Sequence, residues 1–292
     1  IKVFMSNPLS HAETDTLLKR INQEIAQGTF DATDQNLQQM VECLGDTRGM
    51  VRLGFAEALG EIGKPATPFL ETALLHHSDP VVRRASGKTL TLISDPSAVP
   101  SLIHALLNDE DTVVKGSAIG ALARTGRESV PALLEILASP DHPESTKGHA
   151  AWALSFIGAE GKEWLYPGLS SESVEVRSAV IGTLAKLAED DPDEETLTIL
   201  VNALNDPSEN VRSEAAAAIG KLAYQPAIPR LVEMLHHSAS ESRKSAALAL
   251  MKVGASSAIE PLQTALNQES EPSIQLIIKL AISQLEKQAD DY

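Results

Sequence analysis

One cysteine, few aromatic residues, a shortage of basic side chains and no long apolar run mark this sequence, and each shortage removes a class of function. With Cys43 alone, no internal disulfide can form, and a reducing, cytoplasmic setting is expected. One thiolate also cannot hold an iron–sulfur cluster, which takes about four. Lys and Arg number 24 against 40 Asp and Glu, a formal charge of −16. A phosphate binder needs clustered cations, so nucleic acid and anionic membrane surfaces are set aside as partners. No apolar stretch reaches the roughly 20 residues that cross a bilayer, and no signal peptide is read at the start. Chains rarely begin with Ile, so Met5 is expected to be the initiator, with residues 1–4 left from an upstream start or from cloning.

The motifs of common enzymes are missing too. There is no phosphate-cradling glycine loop, no nucleophile elbow and no HExxH zinc motif. The pairs His76-His77 and His236-His237 stand at matching places, as LLHHS and MLHHS. Each ends a segment read as a helix, where a capping or surface role is expected. Neither a catalytic residue nor a metal site is expected, and Cys43 reads as a small packing residue. The acidic run Glu189–Glu195 reads as a solvated connector.

What the chain does have is a repeat. DTRGMVRLGFAEALGEIG, DEDTVVKGSAIGALARTG, SVEVRSAVIGTLAKLA and PSENVRSEAAAAIGKLA are variants of one pattern. Its basic anchor falls at Arg52, Arg83, Lys115, Lys147, Arg177, Arg212 and Arg243, with Gln275 in the eighth place. A period of about 30 to 35 residues belongs to helical solenoids. Each unit is predicted as a helix pair. The first helix opens near proline, which a first turn tolerates. The second carries V-R-x-x-A-x-x-A-L, whose small residues let neighbours approach closely.

The repeat supplies its own control for burial. Seven residues after the anchor stand Leu59, Leu90, Leu122, Leu154, Leu184, Ile219 and Leu250, an aliphatic core column. Five after it stand Glu57, Lys88, Gly120, Trp152, Gly182, Ala217 and Leu248; nine after it stand Glu61, Leu92, Arg124, Phe156, Lys186 and Lys221. Charges recur in both columns, which marks them as mainly solvent-facing. Trp152 and Phe156 therefore occupy places that other repeats give to water, with His149 on the same helical stripe. Gly120 and Gly182 on either side leave space around the indole. The candidate partner-binding set is His149, Trp152, Phe156, Arg124 and Lys186. The competing reading folds Trp152 over the groove between repeats as packing.

The pattern resembles the HEAT repeat, of the kind called PBS-lyase HEAT-like, over about residues 34–288. The resemblance implies an all-α solenoid of about eight helix pairs, with residues 1–33 as an extension and capping helix and 289–292 as a tail. It also implies that the second helices line a concave recognition surface. Aspartate and arginine are expected to stack between repeats, with Asp79 and Arg83, and Asp111 and Lys115, as examples. No histidine is followed by Glu, which sets aside the di-iron deoxyhypusine hydroxylase branch.

Two functional readings follow from the resemblance. LGDTRGMVRLGFAEALGE and HPESTKGHAAWALSFIGAE resemble a cyanobacterial HEAT protein associated with the iron–sulfur carrier IscA. That implies a non-enzymatic scaffold that binds and stabilises an A-type carrier without a cofactor of its own. The alternative is the branch of E/F-type bilin lyases and phycobilisome-degradation proteins. It implies transient binding of an open-chain tetrapyrrole and contact with phycobiliprotein subunits. HAAWALSFIG keeps only part of the aromatic helix associated with the E-type lyases.

Overall fold

The computed structural model describes residues 9–290, without the side chain of Asp290. The expectations about Met5 and residues 1–4 lie outside the described residues. So do residues 291–292 of the proposed 289–292 tail.

Among the described residues the secondary structure is helical: α1 (His11–Ala26), α2 (Asp34–Glu42), α3 (Gly49–Ile62), α4 (Thr67–His76), α5 (Pro80–Ile93), α6 (Val99–Asn108), α7 (Thr112–Thr125), α8 (Val130–Ala138), α9 (Glu144–Leu154), α10 (Lys162–Leu165), α11 (Val174–Asp190), α12 (Glu194–Ala203), α13 (Glu209–Lys221), α14 (Ile228–Met234), α15 (Ser240–Val253), α16 (Ile259–Gln268) and α17 (Pro272–Asp290). From α2 onward these form eight pairs, an all-α HEAT-type solenoid. Two compact units divide the chain, residues 1–161 and 162–292. The first holds α1–α9 and the second α10–α17.

Local chemistry sets the helix ends. Ser10 and Glu13 close a reciprocal capping box on α1. Asp79, Asp111 and Asp193 accept backbone N–H bonds at the starts of α5, α7 and α12. Short 3₁₀ turns such as Pro96–Ala98 and Gln225–Ala227 precede several first helices, with proline in the opening position. The aliphatic column is buried throughout, from Leu59 to Leu250. In the first unit Phe55, Leu70, Leu102 and Leu133 are buried as well. In the second, Ile219 and Leu250 join Leu200, Leu231, Leu262 and Ile278 in one core.

The anchors explain how the repeats are held. In six of them the side chain donates to the carbonyl six residues earlier: Arg52 to Asp46, Arg83 to His77, Arg177 to Ser171, Arg212 to Asp206, Arg243 to His237 and Gln275 to Glu269. The side chain at that earlier position accepts the N–H two residues on, so a turn and a helix share one fastening. The free end of the arginine then crosses to the next repeat. Arg83 grips Asp109 at 2.9 and 3.2 Å, Arg177 grips Asp206, and Arg243 grips Glu269.

This corrects the expected partners. Asp79 does not pair with Arg83, because its carboxylate caps Val81 N–H at 2.8 Å. Asp111 caps Val113 and Val114 and takes Arg84, not Lys115. Lys115 reaches only the Leu107 carbonyl, at 3.4 Å. The acidic run is also more than a connector. Asp193 caps α12 and binds Lys162 at 2.8 Å, while Glu195 accepts the Tyr166 hydroxyl at 2.6 Å.

Candidate functional site

α9 is the shortest second helix, and it ends at Leu154. The stripe His149–Trp152–Phe156 was expected on one continuous helix, but Phe156 lies in the turn beyond it. The turn tightens there: Ser155 Oγ donates to the Trp152 carbonyl at 2.7 Å, and Phe156 N–H to Ala153 at 3.1 Å. The two rings still meet, with centroids 4.6 Å apart and planes at 52°. Both stay open to solvent, Trp152 at 48% and Phe156 at 52%. Trp152 therefore does not fill a groove. His149 is exposed beside them.

The surroundings are bare. A Cβ built on Gly116, Gly120 or Gly148 would meet nothing within 4 Å. These glycines lie one and five residues after the anchors of α7 and α9. They leave open space on α7 and α9, the second of which carries Trp152. Gly182, in the second unit, differs, because an added Cβ would stand 3.1 Å from the Glu214 carboxylate.

The exposed apolar residues of the first unit follow the same layer. Met50 and Leu53 on α3, Leu92 on α5, Val113 on α7, and the Trp152–Phe156 pair all belong to second helices or the turns they lead into. Among the described residues no large exposed apolar side chain lies on α2, α4, α6 or α8. Among the described residues, the large exposed apolar side chains of the first unit are thus confined to the second-helix layer. Column reasoning missed Met50, Leu53 and Val113. Their signal was available as apolar residues two before or one after the anchor, places with no consistent character across repeats.

Arg124 is exposed on α7, in the same unit as the aromatic pair. Lys186 is exposed on α11, in the second unit. Cys43 is buried in the turn after α2. Burial, with Asp46 and Glu42 nearby, pushes its thiol up to about 11, which removes it as a nucleophile. His77 and His237 are turn fasteners. Their Nδ1 atoms accept the N–H groups of Asp79 and Ala239, each at 3.0 Å. Among the described residues no helix is long and apolar enough to cross a membrane.

Stacked helix pairs held by an internal arginine fastening define a HEAT-repeat solenoid. The sequence matches the HEAT repeats family over residues 20–86, 67–155, 130–206 and 197–283, and the chain belongs to that family, in its PBS-lyase HEAT-like form. It is 37% identical over 281 residues to the bilin biosynthesis protein MpeU of Synechococcus sp. (strain WH8020), covering 96% of this chain and 95% of that one. Kap121p bound to Nup53p shares the fold, with 15% identity, a TM-score of 0.51, and coverage of 94% of this chain and 41% of that one. The complex of CpcE and CpcF of phycocyanin lyase from Nostoc sp. PCC7120 aligns with 20% identity over 85% of this chain and 94% of that one. Its TM-score of 0.34 is too loose to bear on function.

The full-length similarity to a bilin biosynthesis protein overturns the expected IscA scaffold and its iron–sulfur carrier partner. The physical reason is that the segments resembling the IscA-associated protein are mostly repeat framework. Their Ala, Leu and Arg positions are fixed by stacking and fastening, which every branch needs, so they do not discriminate between partners.

Proposed function

We propose that this chain handles bilins: it binds an open-chain tetrapyrrole on the second-helix face of its first unit and presents it to a phycobiliprotein subunit, in the manner of a bilin lyase. The observation that carries this is an exposed Trp152–Phe156 pair in tilted ring contact, with open space at the nearby glycines, in a chain 37% identical along its length to a bilin biosynthesis protein. A flat conjugated ligand gains from aromatic faces, and the open space at the glycines gives it room to lie along α7 and α9. His149 is placed to hydrogen-bond a pyrrole or propionate, and Arg124 supplies a cation for a propionate on the same face. Lys186 holds the equivalent column position in the second unit. The residues of the patch bind and orient; none is a nucleophile. The thiol that takes the bilin belongs to the acceptor subunit, which agrees with the buried, raised thiol of Cys43.

The test is a visible-absorption titration of the purified chain with a free bilin, followed by addition of an apo-phycobiliprotein subunit. Binding shifts and sharpens the bilin band, Trp152→Ala weakens it by at least about tenfold, and covalently pigmented subunit accumulates only with the parent chain. An unchanged spectrum, or equal binding by Trp152→Ala, would overturn the reading.

A further inference from the structure

We infer that α17 is a self-association surface, through which two copies of this chain pair antiparallel. The helix is apolar on two sides. Ile274, Ile278, Ala281, Ile282 and Leu285 are buried in the core of the second unit. On another side Leu276 and Leu280 stand 67% and 55% exposed. They are not isolated. Ser273, Leu276, Leu280, Ser283 and Lys287 are all exposed and recur at alternating steps of three and four, the spacing of a helix–helix seam.

The face is one that this fold covers elsewhere. In the second unit, residues one, five and eight after an anchor meet the next helix pair: Ser213 Oγ accepts from Ser245 at 3.0 Å, Gly182 faces Glu214, and Gly220 faces Ala249. The corresponding positions after Gln275 are Leu276, Leu280 and Ser283. They present a stacking face with leucines in place of small residues.

The seam identifies its occupant by its own symmetry. In an antiparallel pair centred at Ile278, Leu276 of each copy falls opposite Leu280 of the other, and Ser273 opposite Ser283. The same register brings Lys287 toward the turn at Glu269–Glu271 of the second copy, where Arg243 already binds both carboxylates, Glu269 is buried, and Glu271 keeps 46% of its side chain exposed as the one acid within reach. A parallel pair would set Lys287 against Lys287. The sequence is therefore complementary to itself in one orientation, the condition for a two-fold interface.

The experiment is mass determination by light scattering on the full chain over about two decades of concentration. The expected result is a mass that rises toward twice the monomer. Leu276→Lys with Leu280→Lys should remain monomeric with unchanged helical circular dichroism, since both side chains are exposed. Lys287→Glu should weaken the dimer, and adding Glu271→Lys should restore it. A monomer at every concentration, a dimer indifferent to the leucine substitutions, or a charge swap that restores nothing would each overturn the inference. None of these readouts involves bilin, so the proposal can fail independently of the ligand reading.

Discussion

Arg177 holds Asp206, 29 residues further along the chain, through two parallel bonds of 2.8 and 2.9 Å, while its third nitrogen hooks the Ser171 carbonyl at 2.8 Å. One guanidinium thus closes its own repeat and ties it to the next. Both side chains are 12% exposed, so the pair is shielded from solvent screening. Removing either partner strands the other. Arg177→Ala or Asp206→Ala should each cost about 3 kcal/mol, and the double variant should cost less than their sum. Urea unfolding of the four proteins measures the coupling directly.

The same geometry recurs at Arg243 and Glu269, and there it shapes the response to acid. Hydrogen bonds from Arg243 hold the Glu269 carboxyl down to about 2, below its ordinary range. The unfolded chain takes up that proton first as pH falls. The carboxylate's contribution is therefore complete above about 4.5 and is lost progressively down to about 2. Glu269→Gln should lower the melting temperature at pH 7 and flatten its decline below pH 4.5. Thermal melts at stepped pH distinguish this from a general acid effect.

Histidine 237 responds in a different window. Its Nδ1 must be unprotonated to accept the Ala239 N–H. Burial disfavours charge, and the cations Arg212 and Arg243 outweigh Glu209, so its pKa lies below the ordinary value. The fold holds the neutral ring, and the unfolded chain protonates first. Stability is then lost as pH falls below about 6.5. An Asp at this place is what the neighbouring repeats use, at Asp109 and Asp206. His237→Asp should accept the same N–H, offer Arg212 a carboxylate, and remove part of the decline between pH 7 and 5. The expected gain at pH 5.5 is about 2–4 °C in melting temperature.

Packing around the open glycines gives a fourth expectation. Gly116, Gly120 and Gly148 lie in helix interiors with open space at Cβ, so each change to Ala should stabilise the chain by about 0.5–1 kcal/mol. Leu154→Ala, two residues beyond Trp152 but fully buried, should instead cost about 3 kcal/mol. Gly161→Ala should also destabilise, since its Cβ would sit 2.2 Å from Ile157. Differential scanning calorimetry of the five single variants orders them.

The helix pairs were legible because stacking imposes one residue type per column: Leu59 and its seven-after-anchor counterparts read as core and are core. The exposure of Trp152 was legible for the same reason, since Glu57 and Lys88 share its column. The route of each arginine was not. Arg83 has acidic residues on both sides in the sequence, and only the superposition of successive turns shows that Asp109 is in reach while Asp79 is already committed to a cap. Nor was the break after Leu154 legible, because HAAWALSFIG has uninterrupted helical periodicity and the turn is drawn tight by the Ser155 hydroxyl. Function was the least legible. Framework residues filled the resembling segments, and the discriminating signal lay in similarity along the whole chain.

Two anchors are lysines, Lys115 and Lys147, and neither makes the six-residue hook that arginine and glutamine make elsewhere. They stand on α7 and α9, the helices that carry the open glycines. The stack is thus least riveted where the aromatic pair sits. Amide protons there should exchange faster than those of α13 and α15, where Arg212 and Arg243 keep their hooks, and a molecule lying across α7 and α9 would act as the missing rivet, slowing exchange at both helices together.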